Sequence, residues 1–172
     1  DAAGNTGLSG IEIGTGVNEI LGTGIVFNGG TAGNLLTMQS TGDSVRLNGA
    51  VTLDTDVVID TDATDDSTTG GDVTFTRAAT IDSQATAVPA TEANDLEIDA
   101  GIARVFFNAN IGAGTNGALG HLSITQATGG VTFGEDDTDQ GAGTTSFVTT
   151  INVTGDAAGN TGLSGIEIGT GV

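Results

Sequence analysis

The sequence predicts an all-β chain wound as a parallel β-helix, with about five three-stranded coils in each 155-residue repeat. Three observations carry that expectation. Residues Asp1 to Val17 (DAAGNTGLSGIEIGTGV) return without a single change as Asp156 to Val172. Short apolar-x-apolar triplets recur at nearly even spacing, and no window combines helical periodicity with capping signals. Thirty glycines and a single proline, with Val, Ile, Leu, Thr and Ala supplying most of the remainder, suit short strands joined by tight turns.

The duplication sets the domain organisation: residues 1–155 form one full tandem repeat, residues 156–172 begin the next identical one, and no separate globular domain is expected. Asp1 is equivalent to Asp156, so the chain is read as starting mid-repeat. A fixed period points to an elongated architecture in which each unit contacts chiefly its neighbours, and hence to a mechanical or adhesive role.

The first strand signature comprises Ile11-Glu12-Ile13, Val45-Arg46-Leu47, Val73-Thr74-Phe75, Val105-Phe106-Phe107, Val131-Thr132-Phe133 and Ile166-Glu167-Ile168. Its intervals of 34, 28, 32, 26 and 35 residues together span the 155-residue repeat, and each is the size of one β-helix coil. A second signature precedes the first in most coils: Leu36-Thr37-Met38, Val57-Val58-Ile59, Leu96-Glu97-Ile98, Leu122-Ser123-Ile124 and Ile151-Asn152-Val153. A third, weaker one follows it, in Val51-Thr52-Leu53, Ala79-Thr80-Ile81 and Ala109-Asn110-Ile111. Apolar and polar residues alternate in each, so one face turns inward. Stacking then places Ile13, Leu47, Phe75, Phe107 and Phe133 in one internal column, with Asn48 and Asn108 at equivalent turns just after it. Five coils at ~4.8 Å each would advance the axis by about 24 Å per repeat and set residue 156 directly above residue 1. The open ends of such a stack would recruit further strands, so a lone 172-residue piece is expected to be unstable or insoluble.

Charge and composition exclude several functions. Twenty-two acidic residues face three arginines (Arg46, Arg77, Arg104) and no lysine, for a formal net charge of -19. Setting aside Asp156 and Glu167 of the duplicated stretch leaves -17 for one repeat. Nucleic acid, which needs a basic surface, is excluded as a partner. No run approaches the roughly 18 apolar residues that span a bilayer, so no membrane insertion is expected in this stretch. With no cysteine there is neither a disulfide framework nor a thiolate metal site. The three arginines are expected to pair with acidic neighbours on adjacent coils.

Two acidic runs carry the only candidate site. Asp60, Asp62, Asp65 and Asp66 form one, and Glu135, Asp136, Asp137 and Asp139 the other. Hard carboxylate oxygens at this density could supply some of the six to eight donors that Ca²⁺ takes, as a general rule. Neither run has the spacing of a calcium-binding loop or of the Gly-Gly-x-Gly-x-Asp nonapeptide. Solvated acidic loops are the favoured reading, with Ca²⁺ the one candidate cofactor and none required. His121, the single histidine, is placed at a turn before Leu122, and no second His, Cys or Ser-base motif stands beside it. A hydrolytic triad is therefore not expected, and no catalytic residue is assigned. The Gly-rich stretches lack a following Gly-Lys-Ser/Thr and are read as turns. Asn152-Val153-Thr154 matches a glycosylation sequon but falls in an expected strand.

The stretches SVRLNGAVTLDTDVVIDT, GDVTFTRAATID, NDLEIDAGIARVFFNANIGAG and ALGHLSITQATGGVTFG, between Ser44 and Gly134, resemble the β-strand repeats of giant bacterial surface proteins. These are the filamentous haemagglutinins and autotransporter passengers, and the likeness covers about half of the chain. The insertions Asp60 to Thr69 and Glu135 to Thr145 depart from a lean repeat. The resemblance implies a right-handed β-solenoid, extracellular or on the cell surface, serving as a non-enzymatic fibre, stalk or adhesin. Its implied partners are neighbouring repeats, lateral copies of the fibre and an unspecified ligand on a host or community surface. The alternative is a β-helical polysaccharide-binding or polysaccharide-processing protein with a Ca²⁺-dependent acidic site and an arginine acting on a sugar acid. Tandem identity favours the fibre, because an enzyme gains nothing from copying one site along an array whereas a fibre gains length.

Overall fold

The computed structural model describes residues 10–14, 24–29, 35–63, 68–84, 93–134, 148–154 and 165–169. Among them the chain forms thirteen short strands and no helix. In chain order these are β1 (Ile11–Ile13), β2 (Ile25–Phe27), β3 (Leu35–Gln39), β4 (Val45–Leu47), β5 (Val51–Leu53), β6 (Asp56–Asp60) and β7 (Val73–Phe75). There follow β8 (Ile81–Ser83), β9 (Leu96–Asp99), β10 (Arg104–Phe107), β11 (His121–Gln126), β12 (Gly130–Phe133) and β13 (Gly165–Ile168).

The strands assemble into three sheets: a first of order β1-β4-β7-β10-β12, a second of order β2-β5-β8 and a third of order β13-β11-β9-β6-β3. Every strand pairing is parallel. Consecutive strands enter the three sheets in turn. Single bridges Ile81 to Ile111 and Ile111 to Ile151 extend the second sheet past its last named strand. The expected all-β, parallel character is thus observed.

Alternation decides what is buried. In β4, β5, β7 and β8 the two outer residues of each triplet are buried and the middle one half-buried. A row of parallel partners keeps like residues in line: Val45, Val73, Val105 and Val131 form one row, and Leu47, Phe75, Phe107 and Phe133 the next. Ile13 pairs with Leu47 and extends the second row as the column requires. The rings of Phe75 and Phe107 stack at 5.2 Å, and those of Phe107 and Phe133 at 5.1 Å. Parallel, in-register pairing stacks these rings, each pair adding about 0.5–1.5 kcal/mol beyond burial.

Just past this row the chain turns at Asn48, Thr76 and Asn108, all buried. Their backbone N–H groups donate to Ile13, Leu47 and Phe75 respectively, and Gly134 donates to Phe107 in the same way. Thr76 Oγ1 also donates to Asn48 Oδ1 at 2.6 Å. Thr76 joins the expected pair of Asn48 and Asn108 as a third buried turn residue, its hydroxyl taking the place of the amide.

Three expectations are corrected. Val51 pairs with Ile81, not Ala79, so β8 starts two residues later than read; Ala79 and Ala109 are buried before the strand position instead. Ile151 and Val153 align with Ile111 and Leu119 rather than with Leu122 to Ile124. Ile166 to Ile168, the sixth triplet of the first signature, pairs with Leu122 to Ile124 in the third sheet and does not follow Phe133 in the first. An apolar-x-apolar triplet specifies an inward face but not which sheet it joins. Residues 1 and 156 lie outside the described residues.

Candidate functional site

Several aspartates lie at or beside strand ends: Asp56 opens β6, Asp60 and Asp99 close β6 and β9, and Asp72 and Asp95 immediately precede β7 and β9, whereas Asp82 is central in β8. A parallel ladder stops at each corner, and the N–H groups just beyond it lose their regular acceptors. Carboxylate oxygens fill that role repeatedly. Asp56 Oδ1 accepts from the Asp95 N–H at 2.9 Å, Asp72 Oδ1 from Arg104 N–H at 3.0 Å, and Asp82 Oδ1 from Gly114 N–H at 2.7 Å. Asn110 Oδ1 does the same for Thr149 and Thr150 at 2.7 and 3.1 Å. In all four cases the side chain reaches forward by 32 to 40 residues, to the segment stacked next along the sheets.

Of the predicted site residues, Asp60 ends β6 and Asp62 lies two residues on, almost fully buried. Asp60 Oδ1 accepts from Asp62 N–H at 2.9 Å and its Oδ2 from Gln39 Nε2 at 2.9 Å. Asp99, its register partner in β9, repeats the turn by accepting from Gly101 N–H at 2.9 Å, and takes Thr125 Oγ1 at 3.3 Å. Asp62 accepts from Thr69 Oγ1. Gly101 has φ of 56°, and a Cβ there would strike the Thr69 carbonyl oxygen and the Asp62 side chain, so the corner closes only around glycine. Asp65, Asp66, Glu135, Asp136, Asp137 and Asp139 lie outside the described residues. Among the described residues no three carboxylate or histidine groups cluster so as to hold a metal ion.

Arg46 sits across from Glu12 in register, with Nη1 3.3 Å from Glu12 Oε1, and Nη1 also donates to the Gly14 carbonyl at 3.2 Å. This is the expected pairing between stacked strands. His121 opens β11 rather than lying in a turn, and is 3% exposed. Its Nε2 has no hydrogen-bond partner among the described residues and lies 3.9 Å from Glu167 Oε2. Asn152 Nδ2 donates to the Gly112 carbonyl at 3.3 Å, so the sequon amide is engaged in packing.

The arrangement that the residues build is therefore a scaffold of side-chain acceptors for backbone donors. The corner acceptors Asp56, Asp72, Asp82 and Asn110 were missed by sequence reasoning, which weighed dense carboxylate runs and passed over isolated ones. The available signal was an Asp or Asn beside, or at the middle of, an apolar triplet. No protein-family model matches the chain, and neither curated proteins nor solved structures yield a match.

Proposed function

We propose that this chain is a length of a non-enzymatic extracellular fibre, stalk or adhesin of a bacterial cell surface. It is built as a right-handed parallel β-helix with about five three-stranded coils per 155-residue repeat. Support comes chiefly from one observation: strands enter three parallel sheets in strict turn, with like residues stacked in register from one pass to the next. Parallel crossovers within one sheet are right-handed almost without exception, which supplies the hand.

The ends of the sheets bear on the same reading. Ile166 and Ile168 are 44% and 51% exposed although their partners Leu122 and Ile124 are wholly buried. Ile166 and Ile168 continue the inward rows of Leu122 and Ile124, with nothing stacked beyond them among the described residues. A further repeat would bury Ile166 and Ile168 at about 25 cal/mol per Å² of apolar surface covered. Carboxylates committed to backbone N–H groups serve as fixed acceptors, which suits a structural role.

Electrophoresis of the native material after full denaturation tests the proposal. A species of very high mass supports a covalent array of repeats, and a single band near the 16.8 kDa of this chain refutes it.

A further inference from the structure

The two identical copies of Gly10 to Gly14 fold alike but join different sheets. In both, the flanking glycines take positive φ: 79° at Gly10 and 80° at Gly14, 99° at Gly165 and 77° at Gly169. Between them the triplet Ile-Glu-Ile is a strand each time. Yet β1 pairs with β4 in the first sheet, whereas β13 pairs with β11 in the third. Backbone conformation is conserved between the copies, while their place around the stack differs.

Counting strand positions accounts for the difference. From β1 to β13 the chain takes fourteen steps from one sheet to the next, with Ile111 and Ile151 occupying the second-sheet positions after β10 and β12. Fourteen is not a multiple of three. We infer that each 155-residue repeat advances the stack by four and two-thirds coils, so that successive repeats are related by a third of a turn about the axis. This rests on the reading of the chain as tandem β-helix, and it replaces a whole number of coils by a threefold screw. One repeat then rises about 22 Å and three repeats about 67 Å, at ~4.8 Å per coil.

The packing favours this phase. In a screw array the next strand to enter the first sheet beyond β12 is a copy of β2. It would set a copy of Phe27 on Phe133 and continue the stacked rings of Phe75, Phe107 and Phe133. The strand laid on β13 is a copy of β4, which reproduces the pairing of Glu12 with Arg46 at Glu167. A whole-coil repeat would instead need Ile166 to Ile168 on β12 and Ile151 to Val153 on β11, and neither pairing is made. As a consequence, any surface feature of one repeat recurs on three sides in turn, and lateral copies of the filament meet equivalent surfaces every 120°.

The chain lacks cysteine, so engineered disulfides read out the phase directly. Ser123 and Glu167 are register partners, and Cα atoms of paired strands lie within disulfide reach. The test compares Ser123→Cys with Glu167→Cys against Thr132→Cys with Glu167→Cys, each cysteine placed once, in a chain that continues these 172 residues by further repeats so that the open end is covered. Glu97→Cys with Ser123→Cys, another register pair, shows that the stack is folded. The inference expects the Ser123/Glu167 bridge as the dominant product and no Thr132/Glu167 bridge. Bridging of Thr132 to Glu167, alone or equally, overturns it in favour of whole coils while leaving the fibre reading intact. Failure of both test pairs in a chain that forms the control bridge also overturns the inference, without favouring whole coils. A Ser123/Glu167 bridge in a protein whose native material runs near 17 kDa sinks the array and keeps the phase.

Discussion

Single acidic side chains act as acceptors for backbone donors of the neighbouring segment. Asp56, Asp72 and Asp82 each accept one backbone N–H from the segment stacked next to them, and Asp60 and Asp99 close matching turns onto residues 62 and 101. Removing the Asp56 acceptor leaves the part-buried Asp95 N–H without this partner, a loss of about 1–2 kcal/mol. Asp56→Ala is therefore expected to lower the unfolding free energy read from urea titration by that amount. Asp56→Asn, which keeps an oxygen at the same place, should lose less than half as much. Equal losses from the two substitutions would show that charge, and not the acceptor, is what Asp56 contributes. These roles were hard to read from sequence because the donor lies 39 residues away from Asp56.

At the scale of elements, the first sheet was legible almost residue by residue. Its triplets end in bulky Ile, Leu or Phe, lie 26 to 34 residues apart and are followed by a turn residue, so the row from Ile13 to Phe133 is legible in the sequence. The other sheets were less legible for a physical reason. Period-two alternation identifies an inward face, while the intervening segments vary too much in length to say which sheet a triplet joins. Hence Ile166 to Ile168 and Ile151 to Val153 were assigned to the wrong sheets, and Ala79 stood in for Ile81. The Phe row also yields a prediction. Phe107 is fully buried with a stacked ring on either side, so Phe107→Leu forfeits two ring contacts at ~0.5–1.5 kcal/mol each. A fall of about 2 kcal/mol in unfolding free energy is expected from denaturant titration. Phe133→Leu, with one stacked neighbour among the described residues, should lose about half as much.

For the whole molecule, a net charge of -19 on 172 residues opposes compaction, and salt should relieve it. Screening shortens the reach of surface charge to about 10 Å at 0.1 M ionic strength. Thermal midpoints are accordingly expected to rise with NaCl, and Ca²⁺ and Mg²⁺ should act alike at matched ionic strength. A selective effect of Ca²⁺, reversed by chelator, would instead give the acidic runs that include Asp65, Asp66 and residues 135–139 a specific cation-binding role. The most direct test of the account is a helical reconstruction by electron cryomicroscopy of the native filament, or of a chain carrying several repeats. Parallel strands spaced ~4.8 Å along the axis are predicted, with one repeat every ~22 Å turned by a third of a revolution. Antiparallel strands, or a compact particle with no axial strand spacing, would contradict the β-helical fibre outright.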